Sequence, residues 1–140
     1  MTKLACHHST FEAWLCKPQH ASSAAVFRIL FGALAVFGAL RFVANGWIES
    51  LYLAPTMHFT FPGFAWVQVW PSWAMYVHFA VLIISALGIM LGLFYRASTI
   101  LYFLSFTYLE LIDQTYYLNH YYAISMIAFL MIWMPLNQHW

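Results

Sequence analysis

Four long apolar runs, separated by polar or proline-rich stretches, dominate the pattern of this chain. They cover residues 24–44, 73–93, 97–112 and 121–134. An α-helix needs about 20 apolar residues to cross the hydrocarbon core of a bilayer, so the first two runs are long enough, and the last two are short where they meet. The pattern predicts an all-α fold, an integral membrane bundle of four transmembrane helices. We expect the polar stretch between the last two helices to sink partly into this bundle.

The segment 45–72, between the first two runs, differs from the rest of the chain. Pro55, Pro62 and Pro71 prevent an unbroken helix from running through it. The segment is also dense in Trp, Tyr and Phe, and a loop in water would not expose so much ring surface. Two placements stay open: the loop lies at the level of the lipid headgroups, or it folds over the helix ends as a cap.

Composition supports a membrane protein and excludes two other classes. Apolar residues make up 64% of the 140 residues, charged residues make up 6%, and the mean hydropathy is +0.75, which excludes a water-soluble globule. The formal net charge is +1 and the basic residues are dispersed, which excludes the basic stripe needed to bind nucleic acid. Lys3, Lys17, Arg28 and Arg96 fall on one membrane face, and the positive-inside rule makes that face cytoplasmic. The prediction is a multi-pass protein with a cytoplasmic N-terminal tail (1–23) and a non-cytoplasmic aromatic loop.

Two further sets of polar residues lie near the first run. Arg28 and Arg41 are close enough to its ends for their side chains to snorkel to the interface. Arg28 also needs a polar partner, and either Asp113 or a helix C-terminus would serve. In the tail, Cys6 and Cys16 with neighbouring histidines fit no standard zinc spacing, so we predict no metal there.

The stretch 113–120, Asp-Gln-Thr-Tyr-Tyr-Leu-Asn-His, is the main candidate site. If the third helix continues through it, Glu110, Asp113, Tyr117 and His120 fall within an arc of about 80° at 100° per residue. Ionisable groups at membrane depth usually mark a site, and a carboxyl beside an imidazole suits proton exchange with a quinone-like ligand. A structural alternative stays open, in which Asp113 and His120 pair and cap helix ends. A metal site of Glu110, Asp113 and His120 lacks the paired Glu-x-x-His motifs of di-iron bundles.

Several motifs resemble the vitamin K-dependent γ-carboxylase and its bacterial relatives, the horizontally transferred transmembrane (HTTM) domain proteins. These motifs are Val-Phe-Arg-Ile-Leu-Phe-Gly at 26–32, Met-Leu-Gly-Leu-Phe-Tyr-Arg at 90–96, Leu-Glu-Leu-Ile-Asp at 109–113 and Asn-His-Tyr-Tyr at 119–122. They occur in the family's order and spacing, and His-Phe-Thr-Phe-Pro-Gly-Phe at 58–64 is similar to the bacterial branch. The resemblance implies that residues 24–140 form the N-terminal part of an HTTM transmembrane domain in a bacterial inner membrane.

The resemblance also implies a chemistry and a set of site residues. The γ-carboxylase deprotonates vitamin K hydroquinone, lets it react with oxygen, and uses the resulting strong base to carboxylate a protein glutamate. By this likeness Asn119 and His120 are the catalytic pair at the hydroquinone site, and we expect Asp113, Tyr117 and Arg28 to join them in binding the cofactor. The implied partners are the lipid bilayer, vitamin K hydroquinone or a related quinol and, in a carboxylating parent, a protein substrate.

Three departures from the family's pattern affect the predicted activity. No lysine follows Lys17, although the family's initiating base is a lysine on a later span. Gln114 and Leu118 replace a lysine and an asparagine of the animal enzyme, and Glu110 occupies a usually apolar position. We therefore interpret the chain as the N-terminal half of a carboxylase-like lyase, truncated at its C-terminus and inactive alone. The alternatives are a quinone-binding or redox subunit of the DoxX type and a non-catalytic membrane scaffold.

Overall fold

The computed structural model describes residues 21–56, 58–64, 66–113 and 119–134, and this part of the chain contains helices and no strand. The helices are α1 (Ala21–Ala44), α2 (Ser72–Leu91), α3 (Tyr95–Ile112) and α4 (Asn119–Trp133), with a short π-helix at Ile48–Leu53. The all-α prediction is confirmed for these residues, and each helix end lies within three residues of the predicted run. The predictions for residues 1–20 and Tyr117 fall outside the described residues.

Consecutive helices run antiparallel. Phe42 near the end of α1 stacks on Phe79 near the start of α2, with ring centroids 5.1 Å apart. The turn 92–94 reverses the chain between α2 and α3, and the rings of Phe103 on α3 and Phe129 on α4 lie 5.5 Å apart. We call the end where α1 and α3 finish the loop end, and the opposite end the turn end.

Glycines allow the tight α2–α3 hairpin. A Cβ at Gly88 would overlap Ser98 on α3, so glycine at this position allows the two helices to approach closely. Gly92 and Phe94 both have positive φ angles, +73° and +44°, which reverse the chain in a few residues. Gly88 therefore serves close helix packing, whereas Gly92 ends α2.

Two of the helices are long and apolar enough to cross a membrane. They cover Ser23–Ala44 and Ser72–Leu91, with mean hydropathies of 2.0 and 2.2. α3 and α4 have 18 and 15 residues and do not meet the same criterion. α1 exposes its large apolar side chains, with Leu34 71% and Phe37 66% accessible, as a lipid-facing helix does. Two candidate crossings are thus shown among the described helices.

The aromatic loop packs over the loop end of the helices. Tyr108 on α3 donates a hydrogen bond to the Gln68 carbonyl at 2.9 Å, and its ring lies 5.7 Å from that of Trp70. Val67 is fully buried beside them. These contacts between the loop and the end of α3 are those expected of a cap over the helix ends. The prolines do prevent a long helix, but the short π-helix before Pro55 was not predicted.

Candidate functional site

A large cavity lies between α1 and α4. The helices pack in series, α1 on α2, α2 on α3 and α3 on α4, and within the described ranges α1 has no comparable contact with α4. The resulting space has a volume of about 840 Å³, within the range of small-molecule sites. Phe31 on α1 and Tyr102 on α3 meet edge to face across its wall, with ring centroids 5.9 Å apart. The open seam between the first and last helices thus creates a ligand-sized space.

The cavity has an apolar body and one polar end. Its walls carry aliphatic and aromatic side chains from every α-helix, among them Leu34, Leu82, Phe106 and Ile124. The polar and charged groups lie towards the loop end: Arg41, Glu110, Asp113, His120 and Tyr121. This distribution suits a ligand with a polar head group and an apolar body.

Glu110 joins α3 to α4 at the polar end. Its Oε2 accepts a hydrogen bond from the Ser125 hydroxyl of α4. Its Oε1 is buried and has no hydrogen-bond partner in the part of the chain that the structure describes, and the Thr107 hydroxyl one turn earlier is in the same state. A buried polar atom left unpaired costs about 1–3 kcal/mol, so a donor group or water reaching this carboxyl would lower the free energy of the site.

Asp113 lies at the point where α3 stops. Its backbone is extended, with φ −146° and ψ 116°, and α4 begins only at Asn119. The condition for the 80° arc, a third helix that continues through 113–120, is therefore not met. Glu110, Asp113 and His120 nevertheless line the same cavity, because α4 returns beside the end of α3. Their proximity comes from the helical hairpin and not from a shared helical face.

Asp113 contacts a histidine that the sequence did not single out as a site residue. Its Oδ2 lies 3.2 Å from Nδ1 of His58 in the aromatic loop. The Asp113 side chain is 4% exposed and that of His58 is 17% exposed. The sequence offered one weak signal for His58, since it is a titratable residue among aromatics in a loop expected to cover the junction. The structural alternative had paired Asp113 with His120, and the observed contact shows that His58 is a partner of Asp113.

Asn119 and His120, the predicted pair, both lie in the first turn of α4, but only one of them reaches the cavity wall. His120 lines the cavity, and its ring lies 4.5 Å from that of Tyr121, which also lines it. Both residues are exposed at the start of α4, but Asn119 is not part of the cavity wall. The geometry therefore favours His120 over Asn119 as a ligand contact.

Arg28 lies apart from the other predicted site residues. It is only 2% exposed, so the prediction that it snorkels to the interface is wrong. Its guanidinium lies against Gly92 at the C-terminal end of α2. Of the two partners expected for Arg28, Asp113 or a helix C-terminus, the structure has the helix C-terminus. Arg28 lies near the start of α3, and Asp113 follows its last residue. The 18 residues of α3, at 1.5 Å per residue, separate the two by about 27 Å. Arg28 therefore does not join Asp113 and His120 in one site.

Comparison with known proteins identifies the family. A model of the HTTM domain matches residues 16–140, a range that includes all four α-helices and the cavity between them. The chain belongs to the HTTM domain family. The resemblance found in the sequence is thereby confirmed, and the HTTM domain is a membrane domain associated with vitamin K-dependent carboxylation. No solved structure is a significant match to this HTTM chain.

Proposed function

We propose that this HTTM chain binds a quinol, vitamin K hydroquinone or a related molecule, in the cavity between α1 and α4. The observation that carries the proposal is the amphipathic cavity itself, about 840 Å³ with its polar groups gathered at one end. A quinol has the matching form, because its hydroxyl-bearing ring is polar and its isoprenoid tail is apolar. The unpaired Oε1 of Glu110 supports the fit, since a quinol hydroxyl is a hydrogen-bond donor.

Four of the five groups at the polar end have a part in this proposal. His120 and Tyr121 orient the ring, Glu110 pairs with one hydroxyl, and Asp113 accepts a proton from it. Phe106 and the other apolar wall residues exclude water from the ring and hold the tail. When bound, a reduced quinone supplies electrons and acidic hydroxyl groups for chemistry with oxygen. The chain's own residues position the ring and receive its protons.

The proposal extends to the membrane and to the parent reaction. α3 and α4 cross the bilayer together with α1 and α2, the N-terminus is cytoplasmic, and the aromatic loop lies on the opposite face. The parent activity is quinol- and oxygen-dependent carboxylation of glutamate. A quinone-binding or redox subunit that carboxylates nothing would use the same cavity, and mass spectrometry of a glutamate-containing peptide after reaction distinguishes the two.

Quinone binding is testable with the whole chain reconstituted in lipid nanodiscs. Menadione, which has the ring without the tail, is titrated while tryptophan fluorescence is recorded, because Trp47 is in the cavity wall. His120→Ala should raise the Kd about tenfold, equivalent to the loss of one hydrogen bond of about 1.4 kcal/mol. Asn119→Ala, at the neighbouring exposed position, is the matched control and should change the Kd little. Absence of saturable binding, or equal effects of both substitutions, would refute the proposed site.

A further inference from the structure

The contact between Asp113 and His58 connects the polar end of the cavity to the outside of the helices. Asp113 lines the cavity and is almost fully buried, whereas His58 is not part of the cavity wall. The His58 side chain, which belongs to the aromatic loop, is 17% exposed. Between them, the 3.2 Å contact from Oδ2 to Nδ1 is within reach of proton transfer.

We propose that Asp113 and His58 form a proton relay between a hydroxyl bound in the cavity and bulk water, an inference that rests on the proposed quinol site. The Asp113 carboxylate takes the proton of the hydroxyl and passes it from Oδ2 to Nδ1 of neutral His58. The resulting imidazolium releases its Nε2 proton to water. One O–H bond of the ligand breaks, one O–H bond of hydronium forms, and both side chains return to their starting charge.

The other charged and titratable groups around this route are on three helices. Arg41 of α1, Glu110 of α3, and His120 and Tyr121 of α4 all line the polar end. They influence which charge Asp113 holds, but the structure gives none of them a contact with His58. A histidine is suited to the outer position of the relay because one ring nitrogen can accept a proton while the other donates one.

The test measures proton release directly. The whole chain in nanodiscs is loaded with menadiol, and a pulse of ferricyanide oxidises it to menadione, which liberates two protons as two ferricyanide ions each take one electron. A pH-indicator dye records the rate at which protons reach the bulk. His58→Gln keeps a side chain able to hydrogen-bond to Asp113 but cannot carry a proton, and it should slow release about 100-fold. Added imidazole should restore the rate, which a purely structural defect would not allow.

His78→Gln provides the matched control. His78 on α2 is hydrogen-bonded through its Nε2 to the Ser105 carbonyl oxygen on α3, at 3.0 Å. It is not in the cavity wall. Its substitution should leave the release rate unchanged. Menadiol binding measured by tryptophan fluorescence, with an unchanged Kd in His58→Gln, shows that the site is intact. Unslowed release in that variant, or slow release that imidazole fails to rescue, would overturn the relay alone. Absence of menadiol binding to the native chain would overturn the proposed function and the relay with it.

Discussion

Replacing Gly32 by alanine tests how closely α1 approaches α2. Gly32 is buried on α1, and a Cβ built there would lie 2.7 Å from the Cα and the backbone nitrogen of Met90 on α2. Backbone atoms cannot swing aside as a flexible side chain can, so α1 must move as a body. Gly38, six residues further along the same helix, has no atom within 4 Å of its hypothetical Cβ. The same substitution at these two positions therefore separates the clash from the general effect of alanine.

The expected magnitude follows from two opposing effects. Alanine stabilises a helix by about 1 kcal/mol relative to glycine, and this gain is common to both variants. Carbon contacts normally lie at about 3.5–4.0 Å, so relief of a 2.7 Å overlap requires a shift of about 1 Å. Overpacking of this kind costs about 1–3 kcal/mol. We expect Gly38→Ala to be about 1 kcal/mol more stable than the native chain and Gly32→Ala to lie about 1–3 kcal/mol below Gly38→Ala.

The measurement is unfolding in mixed micelles by titration with sodium dodecyl sulfate, followed by far-ultraviolet circular dichroism. The difference in the free energy of unfolding between the two variants is the quantity of interest, because the contribution of helix propensity cancels. A Gly32→Ala chain as stable as Gly38→Ala would show that α1 does not contact the α2 backbone as the structure has it.

Three further substitutions test other contacts. Tyr95→Phe removes the hydroxyl that donates a hydrogen bond to the Met131 carbonyl of α4 at 2.6 Å. It should lower the free energy of unfolding by about 0.6–2 kcal/mol in the same titration. An unchanged free energy would argue against that contact. Ser125→Ala removes the hydrogen-bond donor to Glu110 and should destabilise the chain by about 1–3 kcal/mol, because the buried carboxyl is left unpaired. Adding Glu110→Leu removes that carboxyl and should recover most of the lost stability; no recovery would argue against this explanation. Ile124→Trp places a large ring in the cavity and should raise the menadione Kd at least about tenfold, whereas Met126→Trp on the exposed face of α4 should not.

The sequence was a good guide to the helices because their apolar runs are long and uninterrupted. The boundary at Ala44 was predicted to the residue, and that at Ile112 likewise. The π-helix at Ile48–Leu53 was missed because glycine and proline flank it, and a rule based on these residues predicts only a break. Helix periodicity also failed at Asp113, where the polar run could be read as a continuation of α3.

The candidate site was predictable in part, for a similar reason. Glu110, Asp113 and His120 are polar residues beside apolar runs, and polarity at such positions is visible in the sequence. His58 was not predicted as a site residue, because its contact with Asp113 spans 55 positions and depends on how an irregular loop folds. The placement of Arg28 beside Gly92 depends on the α1–α2 packing, which no local pattern specifies.

The burial of Arg28 has a consequence for how the chain enters the membrane. Its guanidinium is placed against the C-terminal end of α2, so its native surroundings do not exist until that helix has been synthesised. An arginine in the middle of a nascent span opposes translocon-mediated insertion by about 2.5–3.5 kcal/mol, less near the ends. α1 is therefore expected to wait at the translocon and to enter the lipid together with α2, as a pair of helices.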